Sequence, residues 1–257
     1  MELLATGRMA EVFAYDEGRV VKLDRPEWNG IAALEIVILS RMAEVGVPVP
    51  RTDEVVTVDG RSGIVMERID GPSLLEVLSV ATPAEMAASA ERFVELQAMV
   101  VGTEIEGLDA LVPRLANELA LGGLPQPHQV ELAGLLRDLD DQRQCVCHFD
   151  FHPGNVLVGP HGWVVIDWLT VAAGPPAADV VRTLLTLAQA SGSPREFVGD
   201  VWRLGLARHG IDEDSAAAWL RVLAGARLAE GFEGADAVWL REVASGARKV
   251  RPAPSGG

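Results

Sequence analysis

Residues 145–168 read CVCHFDFHPGNVLVGPHGWVVIDW. An apolar run, Cys145 to Cys147, leads into a polar loop holding His148, Asp150, His152 and Asn155. A second apolar run, Val156 to Val158, follows at once. Gly159, Pro160, His161 and Gly162 make a turn, and Trp163 to Ile166 runs back to Asp167. Short runs rich in β-branched residues, bounded by Gly and Pro, read as strands, and two of them across a tight turn read as a hairpin. The spacing predicts strand, loop, strand, turn, strand. It places Asp150, Asn155 and Asp167 near one end of the hairpin, with no helix between them.

Three side-chain oxygen groups so placed suit phosphoryl transfer. Asp150 can take a proton from an attacking hydroxyl. Asn155 and Asp167 can hold a hard cation through oxygen, the donor Mg²⁺ prefers. A second reading uses other members of the loop: His148, Asp150 and His152 alternate at i, i+2, as ligands do in some metal-dependent hydrolases. A third is structural, with Asn155 capping a turn and Asp167 ending a strand.

Composition narrows the class. The chain has 257 residues, 49% of them hydrophobic, enough for one large domain or two lobes with a sizeable core. It contains no apolar run of transmembrane length, and Glu2, Arg8 and Glu11 argue against a signal peptide, so a cytoplasmic protein without a membrane partner is expected. A net charge of −15 argues against nucleic acid as a partner and is compatible with a cationic small molecule. The only cysteines, Cys145 and Cys147, sit at i, i+2 in a strand, poorly placed to bridge, and are expected as buried thiols.

The first 70 residues read as β with one helix. Leu3 and Leu4 lead into a small-residue turn at Gly7, strands at 11–15 and 19–23 flank a turn at Asp16-Glu17-Gly18, and a second hairpin pairs Val55–Val58 with Gly63–Glu67. Between them residues 27–45 read as a helix, with Gly46 as its stop and an apolar stripe of Ile31, Leu34, Ile38 and Met42. Glu35 lies inside that stripe, and a carboxylate on a buried face is costly unless paired. Lys22, alone in an apolar strand, is its natural partner. From Ser73 the chain turns helical: 73–78, 82–101 opened by the capping box Thr82-Pro83-Ala84-Glu85, 109–121, 128–141, 180–190, 194–209, 213–230 and 235–247. Asp179 stands just ahead of the helix at 180, as a cap or first-turn acid. The tail 252–257 is low in complexity and expected to be disordered.

The pattern H-x-D-x-H-x-x-N followed by I-D-W resembles the catalytic and metal loops of the aminoglycoside phosphotransferase and choline kinase superfamily, relatives of the protein kinases. Trp168 and Leu169 stand where protein kinases have Phe and Gly, which argues for a small-molecule substrate. The resemblance runs from Gly7 to Asp179 and implies an α+β, two-lobed, protein-kinase-like fold. A small β-rich N-lobe with one helix, residues 1–70, would bind nucleotide, and a larger, mostly helical C-lobe, 71–251, would carry catalysis and the acceptor.

It also implies roles. Asp150 is the base, with His148 and His152 in the same loop. Asn155 and Asp167 hold Mg²⁺. Lys22, oriented by Glu35, contacts the α- and β-phosphates of ATP or GTP, and Gly7 opens a turn over phosphates, although a G-x-G-x-x-G pattern is missing. Met66 backs the nucleotide base, and the backbone of Glu67 and Ile69 bonds to it. Asp179 hydrogen-bonds the catalytic loop from behind. The expected activity is transfer of a γ-phosphate to a hydroxyl of an aminoglycoside-like antibiotic or an amino-alcohol. The alternatives are the metal-dependent hydrolase and a catalytically inactive kinase fold acting as a binding module.

Overall fold

A computed structural model describes residues 1–190 and 192–251; the expected disordered tail, 252–257, lies outside the described residues. These residues divide into two compact units. One comprises 1–74 with 153–169, the other 75–152 with 170–251. The segment 153–169, which the resemblance would put in the larger part, thus groups with the N-terminal sheet.

The first unit is a five-stranded antiparallel sheet with one helix. The strands β1 (Leu3–Thr6), β2 (Ala10–Asp16), β3 (Arg19–Asp24), β4 (Thr52–Val58) and β5 (Arg61–Glu67) take the order β1-β2-β3-β5-β4. β3 and β5 are the inner pair, in register Val20↔Met66, Val21↔Val65 and Lys22↔Ile64. Alternation along β3 sends Val21 and Leu23 into one apolar cluster with Val65, and Val20 into another with Ala32, Ile64 and Met66. Lys22 shares the pleat face of Val20, toward the helix cluster.

The helix α1 runs over Ala32–Glu44, later than expected, because a 3-10 turn occupies Pro26–Trp28. Its start is set by Asp24, whose Oδ2 accepts from the N–H groups of Gly30 at 2.8 Å and Ala32 at 3.0 Å. Gly46, at φ +84°, ends it as expected. The buried face is Ala32, Glu35, Ile38, Leu39 and Met42. Leu34, placed in the stripe by its spacing, is 58% exposed; the face is rotated toward Leu39.

The hairpin β7 (Val156–Gly159) and β8 (Gly162–Val165) completes this unit. Its backbone is bonded to the unit at both sides, Val158 N–H to Pro72 O at 2.8 Å and Val165 N–H to Pro48 O at 2.8 Å. Gly71 makes this close passage feasible: a Cβ there would lie 2.1 Å from the Val158 carbonyl oxygen.

The second unit is helical: α2 (Leu74–Leu78, starting at the boundary), α3 (Pro83–Val101), α4 (Leu111–Leu121), α5 (Gln126–Leu139), α6 (Pro176–Gln189), α7 (Arg195–His209), α8 (Glu213–Arg227) and α9 (Gly234–Ala244). The capping box at Thr82 and Glu85 forms as expected. One apolar core draws Leu115 and Leu119 of α4, Leu132 of α5, Val181 and Leu185 of α6, and Trp219 and Leu223 of α8 together. Trp219 is buried, whereas Trp202 and Trp239 only pack against that core. The strand β6 (Cys145–Cys147) pairs antiparallel with β9 (Ala172–Gly174), a strand the sequence pattern did not reveal. Cys145 and Cys147 are buried free thiols. No helix among the described residues is long and apolar enough to cross a membrane.

Candidate active site

In the first unit, Lys22 is the centre of an ion cluster. Its Nζ lies 2.6 Å from Glu35 Oε1 and 3.1 Å from Asp167 Oδ1. The Glu35 side chain is 3% exposed and that of Lys22 14%, while Asp167 is 44% exposed. Burial alone would push the Lys22 ammonium down; the Glu35 and Asp167 carboxylates more than reverse it and hold the lysine charged. Burial pushes the Glu35 carboxyl up, against the pull of Lys22. A proton on Glu35 would leave the 2.6 Å contact without its charge pairing, so the ion pair is the form we assign at neutral pH.

Asp167 reaches this cluster from the hairpin. Ile166 N–H donates to Asn155 O at 3.0 Å, which extends the β7–β8 ladder by one step past Val156↔Val165. Asn155 and Asp167 therefore flank the same end of the hairpin. Asp167 then turns into the left-handed region, φ +64°, a conformation that aspartate tolerates better than most residues. A 3-10 turn at Pro153–Asn155 precedes the hairpin, where the sequence suggested an unbroken loop.

An amide oxygen and a carboxylate oxygen are hard donors. With Asp167 nearly half exposed, there is room for the water and phosphate ligands that Mg²⁺ retains. The donor chemistry therefore fits Mg²⁺.

The other expected nucleotide contacts lie on the same sheet. Gly7 forms the β1–β2 turn with its N–H bonded to Ala10 O at 2.9 Å and its carbonyl accepting from Arg25 Nε at 3.1 Å. Met66 is buried at the end of β5, opposite Val20. The Glu67 N–H is committed to Arg51 O at 2.8 Å, and its carboxylate to the Arg51 side chain. Ile69 follows β5, and its side chain lies against Gly159 of the hairpin.

In the second unit, residues 148–151 are held by bonds to their own backbone. His148 O accepts from the Thr170 hydroxyl at 2.8 Å. Phe149 N–H donates to Asp179 Oδ1 at 2.6 Å, and Asp150 N–H to His148 Nδ1 at 3.2 Å. Phe151 O accepts from the Thr183 hydroxyl at 2.8 Å. Asp179, Arg182 and Thr183 stand at i, i+3 and i+4 on α6, so one helical face meets the loop. Gln97 of α3 stitches that face together, donating to Asp179 Oδ2 and to the Thr183 hydroxyl, each at 2.9 Å. Phe149 itself takes φ +67°, the left-handed region, which for a bulky residue costs of order 1–3 kcal/mol.

Asp150 is charged. Burial pushes its carboxyl up, but the neighbouring His152 and the Arg182 charge outweigh it and lower it to about 2. His152 Nε2 stands 3.7 Å from Asp150 Oδ2. His148 is fully buried, its ring edge-on to Phe151. It faces its own loop. Among the described residues no group of three or more His, Cys, Asp and Glu side chains is arranged to hold a metal ion. The hydrolase reading, which needs such a group at His148, Asp150 and His152, finds no support in this geometry.

Sequence reasoning missed Gln97, Thr170, Thr183, Arg114 and Arg182. Their roles are hydrogen bonds and ring contacts to the loop, or in the case of Gln97 to the α6 face behind it, from segments far away in the chain. The i, i+3, i+4 spacing of Asp179, Arg182 and Thr183 is the one signal that could have found part of the set, as charged and polar side chains on one face of a helix rich in apolar residues.

The family described as "APH: Phosphotransferase enzyme family" matches residues 5–219. No curated protein matches the chain significantly. Solved structures of similar fold include a thermostable mutant of aminoglycoside phosphotransferase APH(4)-Ia in ternary complex with AMP-PNP and hygromycin B, 17% identical over 96% of this chain and 94% of that one, TM-score 0.67. Another is the streptomycin–ATP–APH(2")-IIa ternary complex, 19% identical over 95% and 90%, TM-score 0.63. A third is APH(3'')-Id from Streptomyces rimosus, 19% identical over 88% and 92%, TM-score 0.61. At these identities the likeness is one of fold.

Proposed function

Because the chain belongs to the APH phosphotransferase enzyme family, we propose that it moves the γ-phosphate of ATP or GTP onto a hydroxyl of a small molecule. The observation that carries this reading is the Lys22–Glu35–Asp167 cluster, a lysine kept charged in a largely buried place by two carboxylates. Lys22 binds the α- and β-phosphates, and Glu35 orients it. Gly7 turns the chain over the phosphates. Met66 backs the nucleotide base, which bonds to the Glu67 carbonyl, its N–H being committed to Arg51, and to the Ile69 N–H. Asn155 and Asp167 would hold Mg²⁺, which when bound neutralises charge on the phosphate oxygens.

Asp150 accepts a hydrogen bond from the acceptor hydroxyl and aims its oxygen. The bond from that oxygen to the γ-phosphorus forms as the bond to the β,γ-bridging oxygen breaks. The hydroxyl proton passes to Asp150, and the nucleoside diphosphate leaves. A carboxyl held at about 2 is a weak base. It takes the proton late, once bonding to phosphorus has made the hydroxyl acidic, so its main work is positioning. His152 orients Asp150, and His148 braces the loop.

For the acceptor we favour an aminoglycoside-like antibiotic or an amino-alcohol. Hygromycin B and streptomycin occur in the complexes of proteins with this fold, and a net charge of −15 suits a cationic acceptor. Thermal unfolding with and without Mg²⁺-ATP or Mg²⁺-GTP, on wild type and Asp167→Ala, tests the nucleotide site. A ligand at a hundredfold excess over Kd adds about 2.7 kcal/mol. A Mg²⁺-dependent rise in Tm that Asp167→Ala loses supports the reading; no rise with either nucleotide refutes it. Phosphate transfer from the bound nucleotide to hygromycin B, streptomycin and choline then sorts the acceptors.

A further inference from the structure

Two guanidinium groups converge on the ring of Phe149. The Cζ of Arg114 lies 4.7 Å from the ring centroid and that of Arg182 5.1 Å. Both are within cation–π range. Each is aimed by other bonds. Arg182 Nη2 donates to Glu230 Oε1 at 2.5 Å, and Arg114 Nη1 to Thr170 O at 2.8 Å. Thr170 is the residue whose hydroxyl holds the His148 carbonyl.

This convergence is unfavourable in itself. Burial pulls the Arg114 guanidinium down, and the neighbouring Arg182 charge adds to that, with Glu118 opposing both. Among the described residues, the Nε of each arginine is buried without a hydrogen-bond partner. Glu118 Oε1, at 3.7 Å from Arg114 Nε, is too far to serve. Two like charges that each leave one buried N–H unbonded to face one ring need a compensating gain. The ring belongs to the residue at φ +67°, directly before Asp150. Asp179 fixes the Phe149 N–H, the buried ring lies in the apolar core of the second unit, and the two guanidinium groups add a charged contact to that same ring.

We infer that Arg114 and Arg182 are positioning residues for phosphoryl transfer, gripping the Phe149 ring so that the left-handed turn stays in place and aims the Asp150 carboxylate. This rests on the phosphotransferase reading for its purpose, but the grip itself does not. If Phe149 relaxed to negative φ, the 149–150 peptide would rotate and Asp150 would leave its place beside His152. Arg182 also supplies one of the charges that keep Asp150 ionised. A lysine would not substitute, since the ring contact and the Glu230 bond use the planar guanidinium together.

The test is amide hydrogen exchange at Phe149, read by NMR on the full chain, in wild type, Arg182→Met, Arg114→Met and Arg182→Met/Phe149→Gly. Both single variants should exchange the Phe149 amide at least tenfold faster than wild type, with the amides in the middle of α3 unchanged. Glycine adopts positive φ without a grip, so the double variant should regain slow exchange. Unchanged exchange in both single variants overturns the inference, as does a folded double variant that stays fast. Should the double variant not fold, Arg182→Lys decides: it should exchange as fast as Arg182→Met, and wild-type protection would refute the grip. In parallel, Mg²⁺-ATP hydrolysis with water as acceptor should lose about tenfold in kcat in Arg182→Met with KM for nucleotide unchanged. If the wild type turns over no nucleotide, the phosphotransferase reading fails while the exchange data still decide the grip.

Discussion

The carboxylate of Asp179 accepts a 2.6 Å hydrogen bond from the backbone N–H of Phe149, thirty residues earlier in the chain. Asp179 is fully buried, and burial pushes its carboxyl up against the pull of that bond and of Gln97. A buried acid is expensive, and this one accepts from the backbone amide of a strained residue and from the Gln97 side chain. It joins Thr183 and Thr170 in fixing the backbone of 148–151, so the loop that presents Asp150 is held from α6 and from the segment after the hairpin.

Removing this acceptor orphans the buried Phe149 N–H, while the Gln97 amide keeps its bond to the Thr183 hydroxyl. Asp179→Ala should cost about 1–3 kcal/mol in urea unfolding, the cost of one orphaned buried group. Asp179→Asn retains an acceptor oxygen and should lose less than half of that. Equal losses would mean that the carboxylate charge, not the hydrogen bond, holds the loop.

Asp150→Asn should lower phosphate transfer by about 10²–10⁴-fold while leaving the Mg²⁺-nucleotide Kd within about twofold. The pH dependence follows from its lowered folded value of about 2, against about 3.9 in an unfolded chain. A depressed acid contributes stability that is present above about pH 4 and lost as the pH falls toward 2. As a base it stays ionised throughout pH 5–8. The kcat/KM profile should therefore show no acid limb from Asp150 in that range, and stopped assays from pH 4.5 to 8.5 check it. A limb near pH 6 that disappears in Asp150→Asn would contradict the assignment.

Lys22→Met should weaken nucleotide binding and cost about 3–5 kcal/mol of stability, because it strands the Glu35 carboxylate, 3% exposed, without a counter-charge. The deficit should depend on pH. Without Lys22, burial and the charges of Asp167 and Asp24 act on Glu35 unopposed and raise it further. A raised acid contributes stability that is fully present below its unfolded value, about 4.3, and lost as the pH rises through the folded one. The Tm difference from wild type should thus widen from pH 5 to pH 8. A difference constant across that range would show that Glu35 is not the group left stranded.

Gly71→Ala should destabilise by about 1–3 kcal/mol, since the new methyl would stand 2.1 Å from one backbone atom of Val158 and 2.8 Å from the next. Neither atom can swing aside as a side chain could. Gly199→Ala is the contrast: this α7 residue has no atom within 4 Å of an added Cβ, and the change should gain about 0.5–1 kcal/mol. Urea unfolding of both variants measures the two signs together.

The sequence by itself determined what depends on near neighbours. The strands β3 and β5, the Thr82 capping box, the Gly46 stop, the β7–β8 turn and the pairing of Lys22 with Glu35 were legible, because strand composition, turn chemistry and the cost of a buried charge are local or nearly so. The family match at 5–219 agrees with the loop motif that organised the reading. The tertiary structure alone decided which side of α1 is buried, where Leu34 gives way to Leu39 by a rotation too small for spacing to resolve. It also decided the partner of β6, the close passage of Gly71 against Val158, and the convergence of Arg114, Thr170, Arg182 and Thr183 on residues 148–151, with Gln97 bonded to Asp179 and Thr183 behind them. The physical reason is common to these cases. A hydrogen bond or ring contact between distant segments is set by how helices and strands pack, and a threonine that holds the backbone of residues 148–151 carries no local mark to separate it from one that merely faces water.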